Sequence, residues 1–310
     1  MLVIGKLGCM REIILKIAYY YCHIGETIKN KTLWEKIYIN GIKLLCSYAL
    51  ELDCRIKKWF SVGFCHLPDD SELPIVSLTS YPARINKVWM VIDSMYHQTV
   101  KPQKIILALT KEEFPDEMDL LPKSLKRYLS KGLEIVFTDY NLHPHNKYYY
   151  ALTHIKDKDV ITIDDDLYYW PDTIERLYKI KKNNPGCICA NRAFILRNDP
   201  RGIRLDDVRN EKGLYVWAQG VGGTLYIPEF RPQRLFDKDK IKQLSLNADD
   251  NWLKVHEILS DVCVATNDFY PHPLLLLGTQ TNALWHKNVI KGDSSRITKS
   301  LLEYYKIVVN

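Results

Sequence analysis

Four short apolar runs separated by amphipathic segments fill residues 74–182, and this alternation limits what the chain can fold into. Pro74-Ile75-Val76-Ser77-Leu78 reads as a buried strand, and Lys104 to Leu109, Leu133 to Phe137 and Asp159 to Ile163 repeat the pattern. Between them the apolar residues change to helical spacing. Ile85, Val88, Trp89 and Ile92 fall at i, i+3, i+4 and i+7, Pro122 to Ser130 reads as a helix, and Tyr148, Ala151, Leu152 and Ile155 mark another helix face. Strands alternating with helices build βαβ units, so the expected fold is α/β with a mostly parallel sheet flanked by helices. Ligands of such sheets sit outside the carboxyl ends of the strands.

The last of these runs ends in three consecutive aspartates, Asp164, Asp165 and Asp166, followed by Leu167-Tyr168-Tyr169-Trp170-Pro171. Pro171 suits the first position of a helix whose apolar face is Ile174, Leu177 and Tyr178, so the aspartates fall in a strand-to-helix loop. One Asp there is explained by the dipole at a helix N-terminus. Three adjacent carboxylates raise each other's pKa unless a cation neutralises them. Hard oxygen ligands suit Mg²⁺ or Mn²⁺, whose remaining positions commonly go to substrate phosphates.

A second acidic pair lies in Asn247-Ala248-Asp249-Asp250-Asn251-Trp252. Asn247 with Asp250 three residues later also reads as a helix cap, with Trp252, Val255 and Leu259 continuing the helical face. The two readings are compatible, since a helix N-terminus would position a carboxylate while its dipole lowered the pKa. Between the two acidic sites lies Gly220-Val221-Gly222-Gly223, where backbone can approach a ligand closely or simply turn.

Charge and cysteines narrow the function classes. Of the net charge of +6, most resides in Met1 to His66, which holds ten Lys or Arg against five Asp or Glu. The remaining chain is nearly neutral, which argues against nucleic acid as a partner. Residues 1–66 read as a helical extension rich in Ile, Leu, Lys and Tyr, suited either to packing on the α/β body, to a homodimer contact, or to peripheral contact with an anionic membrane. Lys6, Arg11, Glu12 and Lys16 interrupt any signal-like apolar stretch, so a cytoplasmic chain is expected, with peripheral contact on the inner face of the membrane. The eight cysteines show no CxxC pairing and read as reduced thiols, Cys187 and Cys189 sharing one strand face.

These residues resemble the GT-A glycosyltransferases, particularly family 2, over about residues 74–260. The metal motif of that group is an Asp-x-Asp after a buried strand. Ile75 to Ile85 looks like its opening strand and nucleotide loop, and Ser94 to Pro102 resembles the S-x-x-x-Q-T-x-x-P signature that follows. The resemblance implies a Rossmann-like GT-A domain over 71–270, preceded by a helical extension over 1–70 and followed by a helical tail over 271–310. It implies transfer of a sugar from a nucleoside-diphosphate donor to a saccharide or lipid-linked acceptor, inverting, in surface polysaccharide or glycolipid synthesis. By the same resemblance Thr79, Ser80, Tyr81, Arg84, Lys147 and Asp165 bind the donor, Gly222 and Gly223 line it, and Asp164, Asp166 and His286 hold Mn²⁺ or Mg²⁺. Asp250, with Asp249 beside it, takes the place of the catalytic base. Many relatives end the second strand in an Asp that reads the base, whereas this chain has Ala108-Leu109-Thr110. A nucleotidyltransferase also sets aspartates on such a sheet, but Thr79-Ser80-Tyr81-Pro82 makes a poor triphosphate cradle. A non-catalytic nucleotide or sugar binder would need only Asp164 to Asp166.

Overall fold

The computed structural model describes residues 2–59, 66–199, 202–279 and 293–309. Two long helices open the chain, α1 (Leu2–Thr27) and α2 (Leu33–Trp59), and fold back on each other. A reciprocal cap starts the second: Glu35 N–H donates to Thr32 Oγ1 at 3.2 Å and Thr32 N–H to Glu35 Oε2 at 2.8 Å.

The α/β body follows as β1 (Ile75–Thr79), α3 (Val88–Tyr96), β2 (Lys104–Thr110), α4 (Lys123–Lys126), β3 (Leu133–Thr138), α5 (Asn146–His154), β4 (Val160–Thr162), β5 (Leu167–Tyr168) and α6 (Thr173–Asn183). Then come β6 (Ile188–Ala190), β7 (Ala193–Asp199), β8 (Gly202–Val208), β9 (Lys212–Gly213), β10 (Val216–Ala218), β11 (Thr224–Tyr226), α7 (Lys238–Leu244), α8 (Asp249–Leu259), β12 (Val264–Thr266), β13 (Leu274–Leu275) and α9 (Asp293–Tyr304). The helix expected over Pro122 to Ser130 is broken: α4 is four residues long, and a 3₁₀ turn over Leu129–Lys131 ends at Gly132 with φ of 110°. The tail after residue 271 is not wholly helical, because β13 pairs with β5 before α9 begins.

The main sheet runs β3-β2-β1-β4-β11-β6-β12-β9. β1, β2, β3 and β4 are mutually parallel neighbours, β11 inserts antiparallel between β4 and β6, and β12 is parallel to β6. The fold is thus the expected mostly parallel GT-A-like sheet. The chain steps outward from β1 to β3 and returns on the other side of β1 as β4, so a topological switch point opens between the carboxyl ends of β1 and β4. Val76, Leu78, Leu107 and Ile161 are fully buried, which explains why these strands read as continuous apolar runs: both sheet faces are covered.

The helical hairpin packs on this body. Arg11 Nε lies 2.9 Å from Asp53 Oδ2 of α2, and Arg11 Nη1 lies 2.9 Å from Asp93 Oδ2 of α3. Glu26 pairs with Arg192 at 2.6 Å and accepts the His272 N–H at 2.7 Å, and Tyr19 meets the Trp170 ring edge-on.

One cysteine expectation is corrected. Cys187 and Cys263 are joined in a disulfide across 76 residues of sequence, where reduced thiols were expected. The parallel register Ile188↔Val264 sets the residues just before these two strands side by side, with Cα atoms 5.0 Å apart. Cys189 is a buried free thiol, as are Cys22, Cys46 and Cys54.

Candidate active site

The switch point brings the first strand's loop onto the aspartate cluster. Ser80 Oγ donates to Asp165 Oδ2 at 2.6 Å, and Arg84 Nη1 donates to Asp165 Oδ1 at 2.6 Å while its Nη2 lies 3.1 Å from Asp166 Oδ2. Asp165 is therefore buried and saturated. Burial raises its pKa more than Arg84 and Ser80 lower it. Arg84 Nε donates to the Thr279 carbonyl, and Tyr81 packs its ring 5.4 Å from the Arg84 guanidinium carbon. Thr79 Oγ1 turns away to the Ala108 carbonyl at 2.7 Å. The Asp164 and Asp166 side chains keep 31% and 15% exposure against 9% for Asp165, so these two face outward.

Lys147 joins the two acidic segments. Its buried ammonium lies 2.9 Å from Asp164 Oδ1 and 2.7 Å from Asp249 Oδ2. Burial opposes its charge, but Asp164, Asp249 and Asp250 outweigh burial and hold its pKa well above the usual value. α8 begins at Asp249 with Ala248 at the cap position, and the Asn247 side chain just before it sits with its Oδ1 2.7 Å from His143 Nδ1. Asp250 instead accepts the Gly220 N–H at 3.3 Å. Its pKa is not lowered by the helix dipole as expected. Burial first, then the neighbouring Asp249, push it up to about 7, against the opposing pull of Lys147. Asp249 goes the other way: Lys147 and His145 overcome its burial and lower its pKa.

Among the glycines, Gly220 meets this centre. A Cβ there would come 3.1 Å from both Lys147 Nζ and Asp250 Oδ1. A Cβ at Gly222 would instead come 3.0 Å from Arg192, and one at Gly223, whose φ is 80°, would face Thr173 and Ile163. Two further residues were not singled out in the sequence. Tyr169 accepts the Asp164 N–H at 2.8 Å, fixing the aspartate loop. His145, fully buried and pushed by burial to about 4, is held by Tyr148 Oη at 2.9 Å and the Ser245 carbonyl at 2.7 Å. The only sequence signal for either was adjacency to Asp164 or Lys147. His286 lies outside the described residues, and among the described ones no group of three or more His, Cys, Asp or Glu side chains converges as a metal site.

Residues 90–244, half of the chain, match the family described as glycosyl transferase family 2. The chain belongs to glycosyl transferase family 2. It is a sugar transferase by that membership, and the matched stretch holds Lys147, Asp164 to Asp166 and Gly220 to Gly223 but ends short of Asp249. No curated protein matches the chain. Among solved structures it is similar to S. aureus TarS 1-349, at 14% identity and a TM-score of 0.43, covering 63% of this chain and 58% of that one. It is also similar to the mannosyltransferase PcManGT from Pyrobaculum calidifontis, solved in complex with GDP-Man and Mn²⁺, at 14% identity and a TM-score of 0.48, covering 93% and 76%. The 4-diphosphocytidyl-2C-methyl-D-erythritol synthase of Anaerococcus prevotii DSM 20548 aligns at 12% identity and a TM-score of 0.41, covering 75% and 97%.

Proposed function

We propose that this family 2 transferase moves a sugar from a nucleoside-diphosphate donor to the hydroxyl of a saccharide or lipid-linked saccharide by a single inverting displacement. The acceptor oxygen bonds to the anomeric carbon as its proton passes to Asp250, and the nucleoside diphosphate leaves with the electron pair of the broken bond. The reading is carried by Lys147, whose ammonium stands between Asp164 of the donor side and Asp249 beside the base, so that both acidic segments front one space. A base pushed up to about 7 suits this step, because proton transfer is most efficient when the base pKa is near the working pH. Such an enzyme fits the synthesis of surface polysaccharides or glycolipids.

Asp164 and Asp166 are the residues that would hold a divalent Mn²⁺ or Mg²⁺. They are the outward pair of the cluster, their oxygens are hard donors, and two carboxylates completed by substrate phosphates are a common arrangement for Mg²⁺. Bound there, the cation would neutralise charge on the departing diphosphate. Lys147 supplies a fixed positive charge on the same side. Thr79 and Tyr81 lie at the loop where the nucleoside would rest, Ser80 and Arg84 hold Asp165 in place for it, and Gly222 and Gly223 shape the backbone behind Gly220.

The test is nucleotide release from a panel of nucleoside-diphosphate sugars with Mn²⁺. Release from one donor, abolished by EDTA and by Asp166→Ala, is the expected result, and kcat/KM should rise with pH to a plateau above about 7. A flat profile from pH 5 to 9 would remove Asp250 as base. Gly220→Ala is expected to fold and yet lower turnover about 10- to 100-fold, because the added methyl displaces Lys147 and Asp250 by a fraction of an ångström. A thermal melt together with steady-state kinetics checks both halves of that statement.

A further inference from the structure

The helical hairpin leaves one face uncovered. On α1 the outward stripe is Met10, Ile13, Ile17 and Tyr20, and on α2 it is Trp34, Tyr38, Leu45, Tyr48 and Leu52, each set at helical spacing and opposite the buried Leu15, Cys22, Leu50 and Cys54. The stripes meet where the Tyr21 and Tyr38 rings touch edge-on, so they form one surface. Its tip is the most open part: Leu33 is 70% and Trp34 78% exposed. No helix among the described residues is long and apolar enough to cross a membrane.

We propose that this face docks on the surface of an anionic lipid bilayer. Three observations select that occupant. The segment carrying the face holds ten Lys or Arg against five acids, Arg11 and Lys57 among them being buried in ion pairs, and exposed Lys29 lies at the tip beside Ile28. Cations beside an apolar face draw a helix to anionic headgroups. The face is also rich in Trp and Tyr, whose amphipathic rings favour the headgroup level. Finally, a cleft of about 420 Å³ opens beside it, bounded by Tyr48, Leu52, Arg55 and Lys87 and by Gly278. The next residue, Thr279, accepts from Arg84, which holds Asp165 and Asp166. Docking on this face would therefore bring a membrane-borne acceptor to the side of the site where the cleft opens. The significance of that placement rests on the glycosyl-transfer reading; the docking does not.

The test is flotation of the full chain with vesicles of phosphatidylcholine alone or mixed with phosphatidylglycerol, alongside light scattering in solution. The expected result is flotation with the anionic vesicles, weakened by salt and falling about tenfold or more in Leu33→Ser/Trp34→Ser/Leu45→Ser, with an unchanged far-ultraviolet spectrum. Nucleotide release by the same variant should be intact, so loss of docking and loss of transfer are read separately. Three outcomes overturn the proposal: no flotation on either vesicle, equal flotation on both, or a stable dimer in solution that the triple variant converts to monomer.

Discussion

Replacing Asp250 by Asn is expected to lower kcat by about 10²–10⁴-fold while nucleotide-sugar binding survives. The amide keeps the shape of the carboxyl and its oxygen can still accept the Gly220 N–H, but it cannot take the acceptor proton. Asp249 does not replace it, because Lys147 holds that carboxylate ionised in a 2.7 Å pair and makes it a weak base. The same substitution should make the protein more stable. The folded state raises Asp250 from 3.8 to about 7, so the stability its neutral form lends is present at low pH and is lost as pH rises through about 7. Above that, the ionised side chain repels Asp249 and Asp164 inside the fold. The amide of Asp250→Asn carries no such charge, so the variant should gain about 0.5–2 kcal/mol at pH 8 and nothing near pH 3. Isothermal titration with donor, single-turnover kinetics and denaturant midpoints at the two pH values separate these effects. Full turnover in the variant would move the base elsewhere.

That pKa could not be read from the sequence, and the reason is general to this site. The strands around the switch point were legible because both of their faces are buried, which leaves unbroken runs such as Ile105 to Leu109. The aspartate cluster was legible because it ends one of those runs. At Asp250, however, sequence offers only the helix start, which predicts a lowered pKa. The raised value comes from burial and from Asp249, and their size depends on how closely Gly220 and Lys147 close over the pair. The small sheet β10-β7-β8 was hidden for a different reason. β8 carries Arg204, Asp206 and Asp207, so it lacks the apolar run of a covered strand and is paired by its backbone register with β7. Contacts that need topology were likewise invisible: Cys187 meets Cys263 only because β12 lies beside β6.

Another contact that needs topology, the buried ion pair between α1 and α3, should be costly to break. Asp93→Ala is expected to destabilise the protein by about 3–5 kcal/mol, the loss typical of removing one partner from a buried ion pair. Asp93 sits on α3 with one oxygen 2.9 Å from Arg11 of α1 and 3.2 Å from the Tyr168 hydroxyl, and the other 3.2 Å from the Tyr128 hydroxyl. Burial alone would raise its pKa, yet Arg11 and His97 hold it below the ordinary carboxylate range. Without it, the carboxylate that stays beside Arg11 is Asp53, which Lys57 also claims at 3.0 Å, and the neutral groups near the guanidinium, His97 and Cys54 Sγ, do not replace the lost charge. Tyr168 follows Asp166 by two residues in β5, so the lost anchor should loosen the aspartate loop as well as the hairpin. Denaturant unfolding gives the first effect. The second predicts that, at a temperature where the variant remains folded, KM for donor rises more than kcat falls. Arg11→Met combined with Asp93→Asn removes both charges together and should recover a large part of the stability, because no buried charge is then left without its partner. If the double variant were no more stable than Asp93→Ala, the hydroxyl bonds from Tyr128 and Tyr168, and not the ion pair, would be what fastens the hairpin's docking site to the strand beside the aspartates.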